Sequence, residues 1–195
     1  MRCVWRSFVD IGGRSNEGDI MDTIYELLLV PPYSSKLLCH MKKKRVGHGV
    51  ELFGNKVLIT GGKGAGTEVE IFDIVRNECV EIPPMPSPVY GMGTARRGDT
   101  MLLVGGKDIE GRASNEIIDY DFKTGHSKVI FTMKKSRFGC SSVYRENTLI
   151  VIGGTDDDFK AVYCLDFLSN SWTKLPSIAE GRLFACTVAV NMENF

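Results

Sequence analysis

Four short apolar runs in this chain each end in a pair of glycines. They are Ser7-Phe-Val-Asp-Ile-Gly-Gly13, Lys56-Val-Leu-Ile-Thr-Gly-Gly62, Thr100-Met-Leu-Leu-Val-Gly-Gly106 and Thr148-Leu-Ile-Val-Ile-Gly-Gly154. The first glycines fall at 12, 61, 105 and 153, so the spacings are 49, 44 and 48 residues. A unit that recurs at a period near 50 predicts an array of similar supersecondary pieces, each burying its apolar face against the next. With 195 residues the chain is long enough for one well-buried domain. A formal net charge of zero supplies no global field to draw it to nucleic acid or to a membrane. No run approaches the roughly 20 apolar residues that span a bilayer. Met1-Arg-Cys-Val-Trp-Arg-Ser7 holds no apolar stretch of signal-peptide length. The expected compartment is the cytoplasm or nucleus, with a protein as partner and with no nucleic acid, membrane or cofactor.

Other landmarks keep fixed offsets from the glycines. An apolar residue followed by aspartate recurs at Phe72-Asp73, Tyr120-Asp121 and Leu165-Asp166, and each aspartate opens a turn rich in Asn, Gly or Ser. Seven residues after the apolar position stand Cys79, Ser127 and Trp172, six further on Met85, Met133 and Ile178, and four beyond those Val89, Arg137 and Arg182. Arg45, Val89 and Arg137 each precede the first glycine of the next pair by sixteen residues. One unit then holds four strands. Strand a follows the arginine position, b runs into the glycines, c ends at the aspartate turn, and d follows it. Strand b is apolar on both faces, which places it inside a layered structure. Strands c and d alternate, so each has one face against a neighbour. Residues 19–30 could be scored as a helix by propensity, but their place in the repeat predicts a strand. The fold class expected is all-β, a β-propeller of four-stranded antiparallel blades. The six cysteines contain no C-x-x-C pair and are expected as buried, reduced core thiols.

These residues resemble the kelch repeat, whose pattern has an arginine before strand a, an apolar strand into Gly-Gly, a Tyr-Asp turn and a tryptophan opening the last strand. The fourth unit is the nearest to it, with Gly153, Gly154, Leu165, Asp166, Trp172 and Arg182. The second has Cys79 and the third Ser127 at the tryptophan place, the second unit ends on Val89 at the arginine place, and the first is degenerate. The units run approximately over 1–44, 45–88, 89–136 and 137–182, as four kelch-type blades of one domain. Residues 183–190 read as a further strand a, expected to pair with residues 4–11, complete the first blade and close the ring. An open arc is the alternative.

The glycine pairs read as packing devices rather than ligand loops. Gly62-Lys-Gly-Ala-Gly66 lacks the Lys-Ser/Thr of a phosphate loop and precedes a strand rather than a helix. Cys39, His40 and His48 lack a second ligand cluster at metal-site spacing, and Asp156, Asp157 and Asp158 read as a solvated loop. No metal site and no catalytic set is expected. The basic segments Lys42, Lys43, Lys44, Arg45 and Lys134, Lys135, Arg137 share one place in the repeat, the d-to-a connection, and Arg182 fills it in the fourth unit. In an antiparallel meander the b–c and d–a loops lie at the same end. These eight residues are therefore the expected partner contacts, and arginine's bidentate match to carboxylates predicts an acidic peptide partner. The kelch resemblance implies a non-enzymatic interaction module, acting as a substrate receptor or adaptor in a ubiquitin ligase or in a cytoskeletal assembly. The 195 residues contain no adaptor-binding domain, so a ligase role is expected to need another chain. A kelch-like propeller enzyme acting on a sugar or small metabolite is the alternative.

Overall fold

The computed structural model describes residues 7–155 and 158–189, and Cys3, Asp156, Asp157 and the outer ends of the expected closing pair lie outside them. Within the described residues the chain is all-β. A first sheet holds β1 (Ser7–Ile11), β2 (Thr23–Leu28) and β3 (Ser34–His40) in chain order. A second holds β4 (Gly49–Phe53), β5 (Lys56–Thr60), β6 (Val69–Asp73) and β7 (Glu78–Ile82). The third holds β8 (Gly93–Arg97), β9 (Thr100–Val104), β10 (Glu116–Asp121) and β11 (Ser127–Thr132). The fourth holds β12 (Cys140–Arg145), β13 (Thr148–Gly153), β14 (Val162–Asp166) and β15 (Ser171–Leu175). Every pairing is antiparallel between sequence neighbours, so each sheet is a meander and one propeller blade. Residues 23–28 are indeed a strand, β2, as their place in the repeat requires. No helix of the described residues is long and apolar enough to cross a membrane.

The apolar b strands explain how the blades stack. Val57 and Ile59 of β5 enter a buried cluster with Ile24 and Met41 of the first blade. Leu58, between them, points the other way, into a cluster with Met101, Leu103, Ile118 and Tyr120 of the third. Leu102 and Val104 of β9 pack with Leu149, Val151 and Leu165 of the fourth. A strand of period two that buries both faces must be apolar at every position. Each cluster is thus the seam between two blades. A backbone ladder follows the same order: Gly91 N–H donates to Gly47 O, Gly139 N–H to Gly91 O, and Phe184 N–H to Gly139 O.

The aspartate turns are built alike. The Asp73 carboxylate accepts from Val75 and Arg76 N–H, Asp121 from Lys123 and Thr124, and Asp166 from Leu168 and Ser169. These backbone donors hold all three carboxyls below the usual range. Four residues on, Asn77, Gly125 and Asn170 take left-handed backbone angles, which Asn and Gly tolerate best.

The ends depart from the expectation. Residues 183–189 form no strand, and among the described residues β1 pairs only with β2, so the first sheet has three strands. Arg182 is followed by the turn that opens strand a elsewhere, but Phe184 stands where the other units have Gly47, Gly91 and Gly139. It shares their left-handed φ, 54° against 65°, 64° and 68°. The cysteine expectation also needs correction at one position. Cys79 and Cys140 are buried and Cys39 and Cys164 partly so, but Cys186 is exposed on this terminal segment.

His48 is wedged at the first seam, against the glycine pairs of two blades: a Cβ on Gly12 would lie 3.1 Å from its Cε1, and one on Gly62 2.9 Å from its Cβ. Burial, helped by the Arg45 charge, lowers its pKa from 6.5 to about 4. The unfolded chain therefore takes up a proton near pH 6.5 that the folded one refuses until about pH 4. This stability is fully present above pH 6.5 and is lost as the pH falls towards 4, by up to about 3 kcal/mol. Urea midpoints at pH 7 and pH 5 should differ in wild type, and His48→Gln should flatten the difference.

Candidate functional site

The b–c and d–a loops lie together at one end of the blades. Val46 bridges to Lys63, Tyr90 to Lys107, and Thr155 N–H donates to Phe138 O. Each contact joins the residue after the arginine position to the residue after a glycine pair. The second glycine of each pair also donates to the carbonyl of the arginine position: Gly13 to Arg45, Gly62 to Val89, Gly106 to Arg137 and Gly154 to Arg182. The loop face is thus assembled from identical rungs.

Two of the expected contact residues are not on its surface. Arg45 is fully buried. Its Nη1 donates to Gly61 O (2.8 Å) and Glu68 O (3.1 Å), and its Nη2 to Glu70 Oε1 (2.5 Å). Arg137 is 2% exposed; its Nη1 donates to Gly153 O, and its guanidinium lies 4.8 Å from the centre of the Tyr163 ring. The sixteen-residue offset has this physical cause: the side chain reaches from the d–a loop to the carbonyl of the first glycine. In a buried setting that bond holds the b–c loop to the d–a loop, so these arginines build the face. The remaining expected contacts, Lys42, Lys43, Lys44, Lys134, Lys135 and Arg182, are exposed on it. Lys43 also reaches Glu68 at 3.3 Å.

Three cations were missed. Arg14, Lys63 and Lys107 each follow a glycine pair, and Arg14 and Lys63 are exposed. Lys107 Nζ sits 4.4 Å above the Phe138 ring, and Phe138 meets Tyr90 and Phe184 edge to face. The signal was present as Gly-Gly-Arg, Gly-Gly-Lys and Gly-Gly-Lys in three of four units. The face is mixed in sign, since Asp108 and Glu110 pair there with Arg112, and Asp158 with Lys174. Cys39, His40 and His48 do not converge. Cys39 faces Cys79 across the first seam at 3.5 Å, and His40 bonds Asp22. Among the described residues no group of three His, Cys, Asp or Glu side chains is placed to hold a metal.

The profile of the KLHDC2/KLHL20/DRC7 Kelch-repeats domain matches residues 3–193. The chain belongs to this kelch-repeat family. It is 25% identical over 136 residues to an F-box/kelch-repeat protein of Arabidopsis thaliana, with 66% of this chain and 32% of the relative covered. It is 23% identical over 165 residues to Kelch-like protein 25 of Xenopus tropicalis, covering 79% and 27%. With Kelch domain-containing protein 3 of Homo sapiens it shares 25% identity over 156 residues, covering 67% and 41%. The chain therefore spans less than half the length of these relatives. Kelch-repeat domains are generally protein-interaction modules, and membership of this family supports that reading for the chain.

Proposed function

We propose that this kelch module binds an acidic peptide segment of a partner protein on its b–c/d–a face, as a substrate receptor or adaptor in a ubiquitin ligase or a cytoskeletal assembly. One observation carries the reading. The repeat sets exposed cations at equivalent places on that face, Lys42, Lys43, Lys44, Lys134, Lys135 and Arg182 at the d–a connection and Arg14 and Lys63 beyond the glycines. The rungs beneath them are hydrogen-bonded and rigid. Variable loops on a rigid scaffold are the usual seat of binding. Kelch family membership and the F-box/kelch relatives support the ligase setting.

The test is a selection of dodecapeptides from a random display library on the folded chain. Acidic sequences are expected to be enriched, with affinity falling as salt rises because the contacts are charged and exposed. Reversing Lys42, Lys43, Lys44, Lys134 and Lys135 to glutamate should weaken the selected peptide at least 100-fold. Reversing Lys56, Arg76 and Lys123 at the other end of the blades should leave it unchanged. Neutral or basic selected peptides, or equal loss from both sets, would sink the proposal.

A further inference from the structure

The b–c loops of the first three blades share one plan, and one position in it decides whether a seam is covered. The first glycine of each pair donates its N–H to the carbonyl at the entry of strand c: Gly12 to Thr23, Gly61 to Glu68 and Gly105 to Glu116. Three residues before that carbonyl stand Ile20, Ala65 and Ala113, and Ile20 and Ala113 bridge to Arg14 and Lys107, the residues after the glycine pairs. In the first blade this side chain crosses the seam. Ile20 Cδ1 lies 3.8 Å from the place of a Cβ on Gly64 of the second blade. In the second blade the b–c loop is shorter, residues 61–68 against 12–22 in the first. The position is held there by the buried Ala65, which lacks the three further carbons with which Ile20 reaches its neighbour.

The second seam is open at the corresponding place. A groove of about 440 Å³ lies between loop residues 62–66 and 109–111, with Pro88, Val89 and Tyr90 between them. Its third-blade wall carries Ile109, which is 78% exposed. A lone exposed aliphatic is ordinary on a protein surface, but this one is held out by a braced loop. The Asp108 carboxylate accepts from Glu110 N–H (2.9 Å), Arg112 N–H (2.9 Å) and Arg112 Nε (2.7 Å), and Gly111 N–H donates to Asp108 O. A side chain presented this way loses little freedom when it is covered. The second-blade wall is cationic. Lys63 lines the groove and is exposed, and the exposed Lys44 stands beside it, with its carbonyl against Gly64. The carboxylates of the opposite wall, Asp108 and Glu110, are both paired with Arg112.

We propose that this groove receives one aliphatic side chain of the acidic partner segment, which does in the second seam what Ile20 does in the first. The proposal rests on the acidic-peptide reading and adds a residue to it: the partner carries a leucine, isoleucine or valine next to its acids. That side chain packs on Ile109, Val89 and Tyr90, and the neighbouring carboxylates meet Lys63 and Lys44. Gly62, Gly64 and Gly66 on the same wall let a peptide backbone come close. An apolar groove with lysines along one wall matches an aliphatic residue flanked by carboxylates better than it matches a basic segment.

The test uses the best acidic dodecapeptide from the library selection and its affinity for the intact chain. One aliphatic position of the peptide should stand out, its replacement by serine weakening binding at least tenfold. Ile109→Ser, at an exposed site, should weaken the unaltered peptide at least tenfold and leave the thermal midpoint of the chain unchanged. The two losses should not add, because both remove one contact: the serine peptide should bind Ile109→Ser about as well as it binds wild type. Gly66→Asn is a second variant. Its φ is +63°, which asparagine tolerates, and a Cβ there meets nothing within 4 Å. The added bulk on the groove wall should weaken binding at least tenfold. If both variants bind the peptide as wild type does, or if the selected acidic peptides share no aliphatic residue, the groove assignment is overturned, while the acidic-peptide reading stands or falls with the lysine reversals. If the free chain self-associates and Ile109→Ser disperses it, the occupant is a second copy and the proposal is wrong. If selection yields no acidic peptide, both readings fail.

Discussion

Replacing Glu70 by isoleucine alone should destabilise the chain by about 3–5 kcal/mol, because it strands the buried Arg45 charge without its carboxylate. Adding Arg45→Val should restore most of that loss. The third blade already contains the product, Val89 against Ile118, in a well-packed apolar seam. A buried ion pair exchanged whole for apolar residues of fitting shape is often neutral or stabilising, whereas half an exchange is costly. The rescue has a limit, because Arg45 also holds Gly61 O and Glu68 O, and those carbonyls would lose a donor. Urea unfolding of the two single variants and the double variant gives the coupling directly. Additive losses would show that the pair is not the unit described above.

Gly61→Val should be comparably severe, at about 3 kcal/mol or more. Gly61 has φ +57°, a region that costs an L-residue roughly 1–2 kcal/mol. A Cβ there would lie 2.3 Å from the Val89 carbonyl oxygen, which also accepts the Gly62 N–H, and 3.0 Å from Met85 Cε. The side chain can be admitted only by moving the entry of the next blade, and overpacking of this kind costs roughly 1–3 kcal/mol more. Gly54→Ala separates the two terms: its φ is +60°, but nothing lies within 4 Å of its Cβ position. It should lose only the backbone cost, about 1 kcal/mol. Equal losses at both sites would mean that blade-to-blade contact at Gly61 is not what the glycine serves.

The blades were legible because their determinants are local and repeated. The glycine pairs, the apolar b strands and the aspartate turns each impose a backbone geometry within a few residues, and four copies average out the worn ones. The sixteen-residue offset was visible too, but its meaning was not. An arginine in a polar loop reads as a surface cation until its reach to the carbonyl of Gly61 or Gly153 is seen. That misplacement put Arg45 and Arg137 among the contacts. The exchange of Glu70 for Ile118 was also in plain sequence, yet it acquires sense only beside the buried Arg45 and Val89. At the C-terminal end the alternating residues after Arg182 promised a strand. Phe184 occupies the left-handed glycine position there, and no pairing along the chain follows it among the described residues.

We propose that the loop face receives an acidic peptide. Hydrogen exchange of the chain with and without the selected peptide tests it most directly. The proposal predicts slowed exchange at residues 42–46 and 134–138 and around Arg14, Lys63 and Arg182. Protection confined to the turns at the other end of the blades, at 54–55, 98–99, 122–126 and 146–147, would contradict it.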